Sequence, residues 1–281
     1  MPIRSAGFLL LALASIHCGK GSNDKKQEGK AVGKSGETPS LRNGVSPGEV
    51  DKSAQPPQGP TGTIKGTVSI TGEIPEMPLL RRGADPKCDN GEMRAETILT
   101  DGAGGLANVV VRIKPGTVPA FTPSAKISVD QNDCMYRPRV QGGVVGQTVE
   151  VTNSDKTTHN VHARHLPLGK RQGIDTIINK AQPAGVSMTF ELGDEPVAKL
   201  KCDYHGWMQG YVVVSDNPYF SVSGKDGSFE IKGVPTGTMQ VEAWHEYLGM
   251  KQAELVVDKD GVATLEIKYD MASDDPMAGA Q

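Results

Sequence analysis

Three side chains that bind soft and borderline metal ions stand at three-residue intervals in the stretch KCDYHGWMQGYVVV. They are Cys202, His205 and Met208. A thiolate, an imidazole and a thioether are ligands that suit a transition metal better than a hard cation. If the loop turns with about three residues per turn, as a 3₁₀ turn does, the three side chains face one point. The loop therefore predicts part of a metal site, whose remaining ligand must come from elsewhere in the chain.

Three upstream histidines, His159, His162 and His165, are the candidates for that ligand. Successive side chains of a strand alternate between its faces, so His159 and His162 point in opposite directions. His165 shares the face of His159 but lies about 20 Å along the strand. We therefore choose His159 and place His162 and His165 on the surface. His245 has no Cys or second His beside it, so we expect a packing or turn role for it.

The elements that must position these residues are short and rich in Val, Ile and Thr, and Gly, Pro and Asp-Gly signals separate them. No stretch keeps apolar residues at helical spacing for three turns. The 34 Gly and 19 Pro of the chain add to the case for an all-β fold, a sandwich or Greek-key barrel. The predicted strands are TIKGTVSI, NVVVRI, KISV, QTVEV, SMTFEL, YVVV, SFEIK, MQVEAW, AELVV and ATLEI.

The segment from residue 126 to residue 215 resembles the cupredoxins, the blue-copper family with a Greek-key β-sandwich. GQTVEVTNSDKTTHNVHARH supplies a strand, a turn and a His, and AKLKCDYHGWMQGYVVV supplies the Cys, His and Met before a closing strand. The resemblance implies one copper ion and four ligands. These ligands are His159, Cys202, His205 and Met208.

Two neighbours of the ligands complete the resemblance. Asn160 follows His159, as the family has it, and Trp207 is free to cover the site and keep water from it. Only Gly206 and Trp207 separate His205 from Met208, whereas many cupredoxins have four residues there.

The ligand set also bears on the choice of metal. Two imidazoles, one thiolate and a weak thioether suit copper in electron transfer. Zinc is the main rival, but structural zinc sites draw on paired cysteines, and Cys202 has no cysteine close to it in sequence. We expect a one-electron carrier. A copper chaperone without redox cycling and a β-sandwich interaction module without metal remain as alternatives.

The segment 220–270 resembles a second family, the small carboxypeptidase regulatory-like or transthyretin-like β-sandwich, through SGKDGSFEIKGVPTGTMQVEAWHEYLG and VDKDGVATLEIKY. GTIKGTVSITG, which starts at Gly62, and LANVVVRI resemble its opening strands and give the segment 63–125. The copper domain would then be inserted into the regulatory-like domain. Alternatively, the early strands belong to the 126–215 domain. Pairing of strand 63–70 within the C-terminal sheet is what the insertion requires.

The first 18 residues have the features of an export signal. Arg4 precedes an apolar stretch over residues 7–16 that is too short to span a bilayer, and Cys18 follows it. This arrangement resembles the lipobox of bacterial lipoproteins, which implies that Cys18 is lipidated. Ordinary cleavage after Ala14 is the alternative. We expect a periplasmic or cell-surface protein held to a membrane by its lipid, with the outer membrane favoured because Gly19 is not acidic.

The polar segments at the two ends predict disorder. Residues 19–62 contain almost no large apolar side chain and cannot offset their ordering entropy, so we expect a flexible tether there. The tail at 271–281 is also polar and is expected to be disordered.

The chain has four cysteines. If Cys18 carries lipid and Cys202 binds metal, Cys88 and Cys134 remain, and in an oxidising compartment two leftover thiols most simply form a disulfide. Two free thiols, or a Cys134 that approaches the metal, are the alternatives.

Charge and motifs bear on the partners. The formal charge is −3 and no basic cluster with interleaved aromatics occurs, so nucleic acid is not an expected partner. We expect redox partner proteins instead. Hydrolase, phosphate-loop and dinucleotide fingerprints do not occur in the sequence, which favours a carrier or binding protein over an enzyme.

Overall fold

The computed structural model describes residues 58–276 and is built almost wholly of strands, which confirms the predicted all-β class. In this part of the chain no helix has the length and apolarity needed to cross a membrane. The predicted signal segment, most of the tether and the lipidation residue Cys18 lie outside the described residues.

Sixteen strands and one short helix make up the described chain. In order they are β1 (Thr61–Thr71), β2 (Val110–Ile113), β3 (Ile127–Asn132), β4 (Met135–Arg137), β5 (Val140–Val144), β6 (Thr148–Asn153), β7 (His159–His165), β8 (Thr176–Gln182), β9 (Ser187–Glu191), β10 (Val197–Lys201), β11 (Gln209–Ser215), β12 (Phe220–Val222), β13 (Ser228–Pro235), β14 (Gly237–His245), β15 (Gly249–Val257), β16 (Val262–Asp270) and α1 (Met271–Asp274).

One pair of sheets, which we call the outer sandwich, joins the two ends of the described chain. Its sheets have the strand orders β13-β1-β16 and β12-β2-β14-β15. Thus β1 pairs antiparallel with β13 and parallel with β16. Side chains alternate along β1, and Ile64, Val68 and Ile70 fill the core between the sheets. The early strand therefore lies in the C-terminal sheet, which is the pairing that an inserted middle domain requires.

The strands between β2 and β12 form the inner sandwich. Its sheets have the orders β4-β3-β6-β9 and β5-β11-β10-β7-β8. Val149 and Val151 of β6 face Val212 and Val214 of β11 across one shared core. This second sheet carries β7, β10 and the start of β11, the elements that position the predicted metal ligands.

The inner sandwich packs against the outer one through the other face of β11. All but the first residue of this strand are buried, because Val212 and Val214 enter the inner core while Tyr211 and Val213 join a second core cluster that includes Trp244 of β14. A strand covered on both faces is apolar without alternation, as the run YVVV is. The sheet that carries the predicted ligands is therefore held between two cores.

The ends of the ordered chain differ from the predicted boundaries. Strand β1 begins at Thr61, opposite Pro235, so the tether predicted to run to residue 62 ends earlier. The tail predicted to be disordered from residue 271 instead starts as α1, because the Asp270 side chain caps it and Met271 is buried. Lys251 also forms an ion pair with Asp274 of this helix, with 2.7 Å between Nζ and Oδ1. Only residues 277–281 of this tail lie outside the described part.

Candidate metal centre

Three of the predicted ligands meet in the interior of the inner sandwich. The Nδ1 atoms of His159 and His205 are 2.8 Å apart, and the Cys202 Sγ lies 3.6 Å from that of His205 and 4.0 Å from that of His159. The three side chains are at most 5% exposed. One thiol and two imidazole nitrogens therefore converge on a single buried point.

Local structure explains why these side chains meet. His159 is the first residue of β7 and pairs with Gln182 of β8. The Asn153 side chain fixes the preceding turn by donating to the carbonyls of Thr157 and Gln182. Cys202 directly follows β10, the neighbour of β7, so strand pairing brings the two ligands together.

The loop after Cys202 closes through two backbone hydrogen bonds. The Met208 N–H donates to the His205 carbonyl at 2.9 Å, and the Cys202 N–H donates to the Met208 carbonyl at 3.3 Å. The loop is thus a bend followed by a single turn and not the continuous 3₁₀ turn of the prediction. Met208 is fully buried in the same core cluster as Cys202.

A carboxylate holds the outer nitrogen of each imidazole. The Nε2 atom of His159 lies 2.9 Å from Asp155 Oδ2, and that of His205 lies 3.2 Å from Asp85 Oδ2. An imidazole whose Nε2–H donates to a carboxylate keeps the lone pair of Nδ1 free, which is how proteins orient histidine ligands toward metals. Both rings therefore present Nδ1 to the centre.

Opposing electrostatic effects act on the three groups. Burial alone would lower the pKa of His159, but hydrogen bonds with Asp155 and Cys202 raise it to about 9. Burial and the charge of His159 lower the pKa of His205. Burial would raise the pKa of the Cys202 thiol, yet its contacts with His159 and the Asn160 N–H lower it overall. The surroundings of the metal-free centre thus favour the charged form of His159 and shift Cys202 toward its thiolate form.

The two predicted neighbours of the ligands contact the centre. The Asn160 N–H donates to Cys202 Sγ at 3.4 Å, and the Asn160 side chain accepts from the Asp203 N–H. The Trp207 ring lies 5.1 Å from that of His205 and its Nε1–H donates to the Cys134 carbonyl. Asn160 therefore ties β7 to the Cys202 loop, and Trp207 covers the His205 side of the centre.

The structure contains the predicted disulfide between Cys88 and Cys134, and Cys202 is the free cysteine of the described residues. The disulfide sulfurs lie beside the centre. Cys88 Sγ falls within 4.8 Å of ligand atoms of Asp85 and His205, and Cys134 Sγ within 4.8 Å of those of Asp155 and His159.

The other histidines lie away from the centre. His162 points to the opposite face of β7, as strand alternation predicts, but it is half-buried and not a surface residue, because it pairs with Asp203 at 2.8 Å. His165, at the far end of β7, is also half-buried. His245 accepts the N–H groups of Tyr247 and Leu248 with its Nδ1, the turn role expected of it.

Sequence reasoning missed both carboxylates. Asp155 stands four residues before His159 in the turn, so its proximity could have been inferred from the spacing. Asp85 is separated from His205 by 120 positions. The one signal for it is its place three residues before Cys88, and this becomes informative only once the disulfide partner is known to lie beside the centre.

Comparison with known proteins finds solved structures that are similar to part of the chain. No protein-family model and no curated protein sequence matches it. Among solved structures, a purple cupredoxin from Nitrosopumilus maritimus is 24% identical over 32% of this chain and 100% of its own, with a TM-score of 0.28. A methionine-to-alanine mutant of amicyanin, in its Cu(I) form, is 22% identical over 37% of this chain and 98% of its own, with a TM-score of 0.28.

A copper-containing nitrite reductase from Thermus scotoductus SA-01 is similar over a longer stretch. It is 17% identical over 52% of this chain but only 28% of its own length, also with a TM-score of 0.28. Each of these solved structures is thus similar to only about a third to a half of this chain.

Proposed function

We propose that this protein binds one copper ion through His159, Cys202 and His205, with Met208 as a weak fourth ligand, and carries single electrons between partner proteins. The observation that carries the proposal is the convergence of two Nδ1 atoms and one Sγ atom within 4.0 Å of one another.

The donor set fits copper. Two imidazoles and one sulfur that converge on one point, with a buried methionine in the same loop, match the preference of copper in electron-transfer sites. A structural zinc site would draw on further thiolates, and the other two described cysteines are joined to each other. Copper in such a set supplies one-electron chemistry between Cu(I) and Cu(II).

The chain's own residues hold the ligands still. Asp155 and Asp85 fix the two imidazoles, and the Asn160 N–H fixes the Cys202 sulfur. Because the ligands are buried and held by these hydrogen bonds, they need little rearrangement when charge changes, which favours electron transfer. The same burial favours a retained ion over one handed on by a chaperone.

The test is titration of Cu(II) into the purified full chain. We expect one equivalent to bind and to give an intense visible charge-transfer band between the Cys202 sulfur and the metal. His159→Ala and Cys202→Ala should each abolish the band and the retention of copper after dialysis against a chelator.

His165→Ala is the matched control, because this residue lies on the same strand but outside the centre, and it should bind copper as the unaltered chain does. Absence of a visible band in the unaltered chain would overturn the copper proposal. A reversible one-electron wave together with slow copper loss to a Cu(I) chelator would support the carrier, whereas loss within minutes would favour a chaperone.

Export and anchoring are proposals from the sequence. The apolar stretch at residues 7–16 followed by Cys18 supports a lipid-anchored protein at the periplasmic or outer face of a bacterial membrane. Cys18→Ser should move the protein from the membrane fraction to the soluble fraction. An unchanged distribution would contradict lipidation.

The regulatory-like identity of the outer sandwich is likewise a proposal, supported by its Asp-Gly hairpins.

A further inference from the structure

A loop of the outer part of the chain reaches over the candidate metal centre. We call residues 82–90 the strap. It lies between β1 and β2, a stretch that the structure describes throughout and that contains no strand, only isolated bridges such as that between Leu79 and Arg94. Regular sheet pairing therefore does not hold the strap in place, and its position must come from side-chain contacts.

Those contacts converge on one turn of the inner sandwich. Arg82, 3% exposed, donates to the carbonyl of Asp133 at 3.0 Å and to its carboxylate at 2.7 Å. Asn90 donates to the same carboxylate, and Cys88 is bonded to Cys134. The strap is thus fastened at both ends and in its middle to the Asp133–Cys134 turn.

The same turn supports both imidazoles. On one side, the Cys134 N–H donates to Asp155 Oδ2, the oxygen that holds His159. On the other side, Cys88 follows Asp85 by three residues and donates its N–H to the Asp85 carbonyl. Each aspartate that orients a histidine is therefore tied to one half of the disulfide, Asp155 through its carboxylate and Asp85 through its backbone.

Several hydrogen bonds hold the Asp85 carboxylate beside the His205 ring. Its Oδ2 accepts the Thr157 hydroxyl at 2.8 Å and lies 3.2 Å from His205 Nε2, while its Oδ1 accepts the Lys87 N–H. The Asp85 carboxylate thus faces the outer nitrogen of His205.

We propose that Asp85 is a positioning residue of the metal centre and that the Cys88–Cys134 disulfide holds it there, so that a segment outside the inner sandwich sets how tightly that sandwich binds its metal and at what potential. This inference rests on the proposed copper function. Without Asp85 the Nε2 atom of His205 loses its acceptor, and the ring is free to rotate its Nδ1 away from Cys202.

The experiment compares Asp85→Ala, Cys88→Ser/Cys134→Ser and the triple variant that combines them, each as the full chain. We expect each of the first two to weaken copper binding by about 10-fold to 100-fold, as loss of an outer hydrogen-bond partner does. The visible band and the reduction potential should shift in both. Because both changes act through the same contact, the triple variant should lose little more than either alone.

Asp101→Asn is the control, since Asp101 is an exposed acid that likewise caps a turn, through the N–H groups of Ala103 and Gly105. It should leave copper affinity and potential unchanged. Losses that add in the triple variant, or an Asp85→Ala protein with unshifted band, potential and affinity, would overturn the proposal.

Nitrogen NMR of the metal-free protein separates this inference from the copper proposal. In the unaltered chain His205 should carry its proton on Nε2, and Asp85→Ala should change that pattern while leaving His245 as it was. If the cysteine variant does not fold, the Asp85→Ala variant alone tests the inference. An unchanged His205 pattern overturns the inference whether or not copper binds.

Discussion

His159 and His205 present the same ring nitrogen to the centre, although they come from different elements. The reason is that each Nε2 has a carboxylate partner, Asp155 for one and Asp85 for the other. With Nε2 engaged in this way, Nδ1 is the nitrogen left to face Cys202. The choice of nitrogen therefore depends on two acids that are not themselves predicted ligands.

Met208 belongs to the predicted ligand set, and its replacement by Leu tests that role. Leu keeps the volume and apolar character of the side chain, so the free energy of unfolding should change by less than about 1.5 kcal/mol. If the sulfur contributes to the site, the visible band and the reduction potential should both shift while copper still binds.

Met135→Leu is the matched control, because Met135 is also buried, at 1% exposed, but lies on β4. It should have a similar effect on stability and none on the spectrum. Identical spectra for the two variants would remove Met208 from the ligand set.

Because His245 is buried, we expect the folded protein to lose stability in acid. Burial, and then the positive charge of Arg139, lower its folded-state pKa from 6.5 to about 3. The unfolded chain therefore takes up this proton first, so the stabilisation is present above pH 6.5 and is lost as the pH falls toward 3. The Tyr269 ring, 6.1 Å away, is the aromatic group packed against it.

The measurement is urea unfolding of the unaltered chain and of His245→Asn between pH 7 and pH 4. Asn offers an acceptor to the same turn but does not titrate. We expect the variant to lose stability less steeply, by up to about 1.4 kcal/mol per pH unit. Parallel curves would show that His245 does not contribute.

At the scale of elements, the apolar strands were predictable and the polar or short ones were not. β11 was recognisable from its valines, but β8 was missed because most of its residues are exposed or half-buried and include Asn, Lys and Gln. β5 was missed because it contains two glycines, at 142 and 143. Both pair with strands of the sheet that carries the predicted ligands, so their stability comes from neighbours and not from their own composition.

Gly66→Ala tests the pairing of β1 with β16. A Cβ at this position would lie 1.9 Å from the Leu265 carbonyl oxygen and 2.7 Å from the Phe229 ring. Because the nearest atom belongs to the backbone, the sheet itself must shift, and we expect a loss of about 1 to 3 kcal/mol or more in unfolding free energy.

Gly59→Ala is the control, since nothing lies within 4 Å of a Cβ there. Thermal and urea unfolding of the two variants provide the comparison. If Gly66→Ala were as stable as the control, β1 would not pair as described, and the inserted arrangement would lose its support.

At the scale of the whole molecule, two buried ion pairs join the sandwiches or line their contact. Arg139 of the inner sandwich forms a bidentate pair with Glu246, at 2.5 and 2.8 Å, and both are at most 6% exposed. Arg112 on β2 pairs with Glu242 on β14 and donates to the Val214 carbonyl of β11. These pairs place charge inside the contact and so define how the two sandwiches meet.

Arg139→Ala should destabilise the protein by about 3 to 5 kcal/mol, because it leaves the Glu246 carboxylate buried without its ion-pair partner. The exposed pair of Lys65 and Glu230 supplies the control, and Lys65→Ala should cost no more than about 1 kcal/mol. Denaturant unfolding measures both. Replacing Arg139 and Glu246 together by Met and Leu should recover much of the loss, and failure to do so would show that packing, not the lone charge, is responsible.

The amino-acid sequence by itself determined the all-β class of this protein and the donor types of the proposed metal site. The donor types and spacing of Cys202, His205 and Met208 are local, and so are the Val-rich strands and their turns. The Cys88–Cys134 disulfide, which the structure contains, was predicted from the count of thiols with Cys18 and Cys202 assigned to other roles. Each of these predictions depends on residue types, their number and local spacing, which a sequence displays directly.

Only the tertiary structure decided which distant residues meet. That β1 lies between β13 and β16, and that Asp85 reaches His205, depend on chain segments brought together by burial of two separate cores. An isolated aspartate in a polar loop has no periodicity or spacing that names its partner. Its contact exists because the Asp133–Cys134 turn, itself placed by pairing of β3 with β4, anchors the disulfide beside the centre.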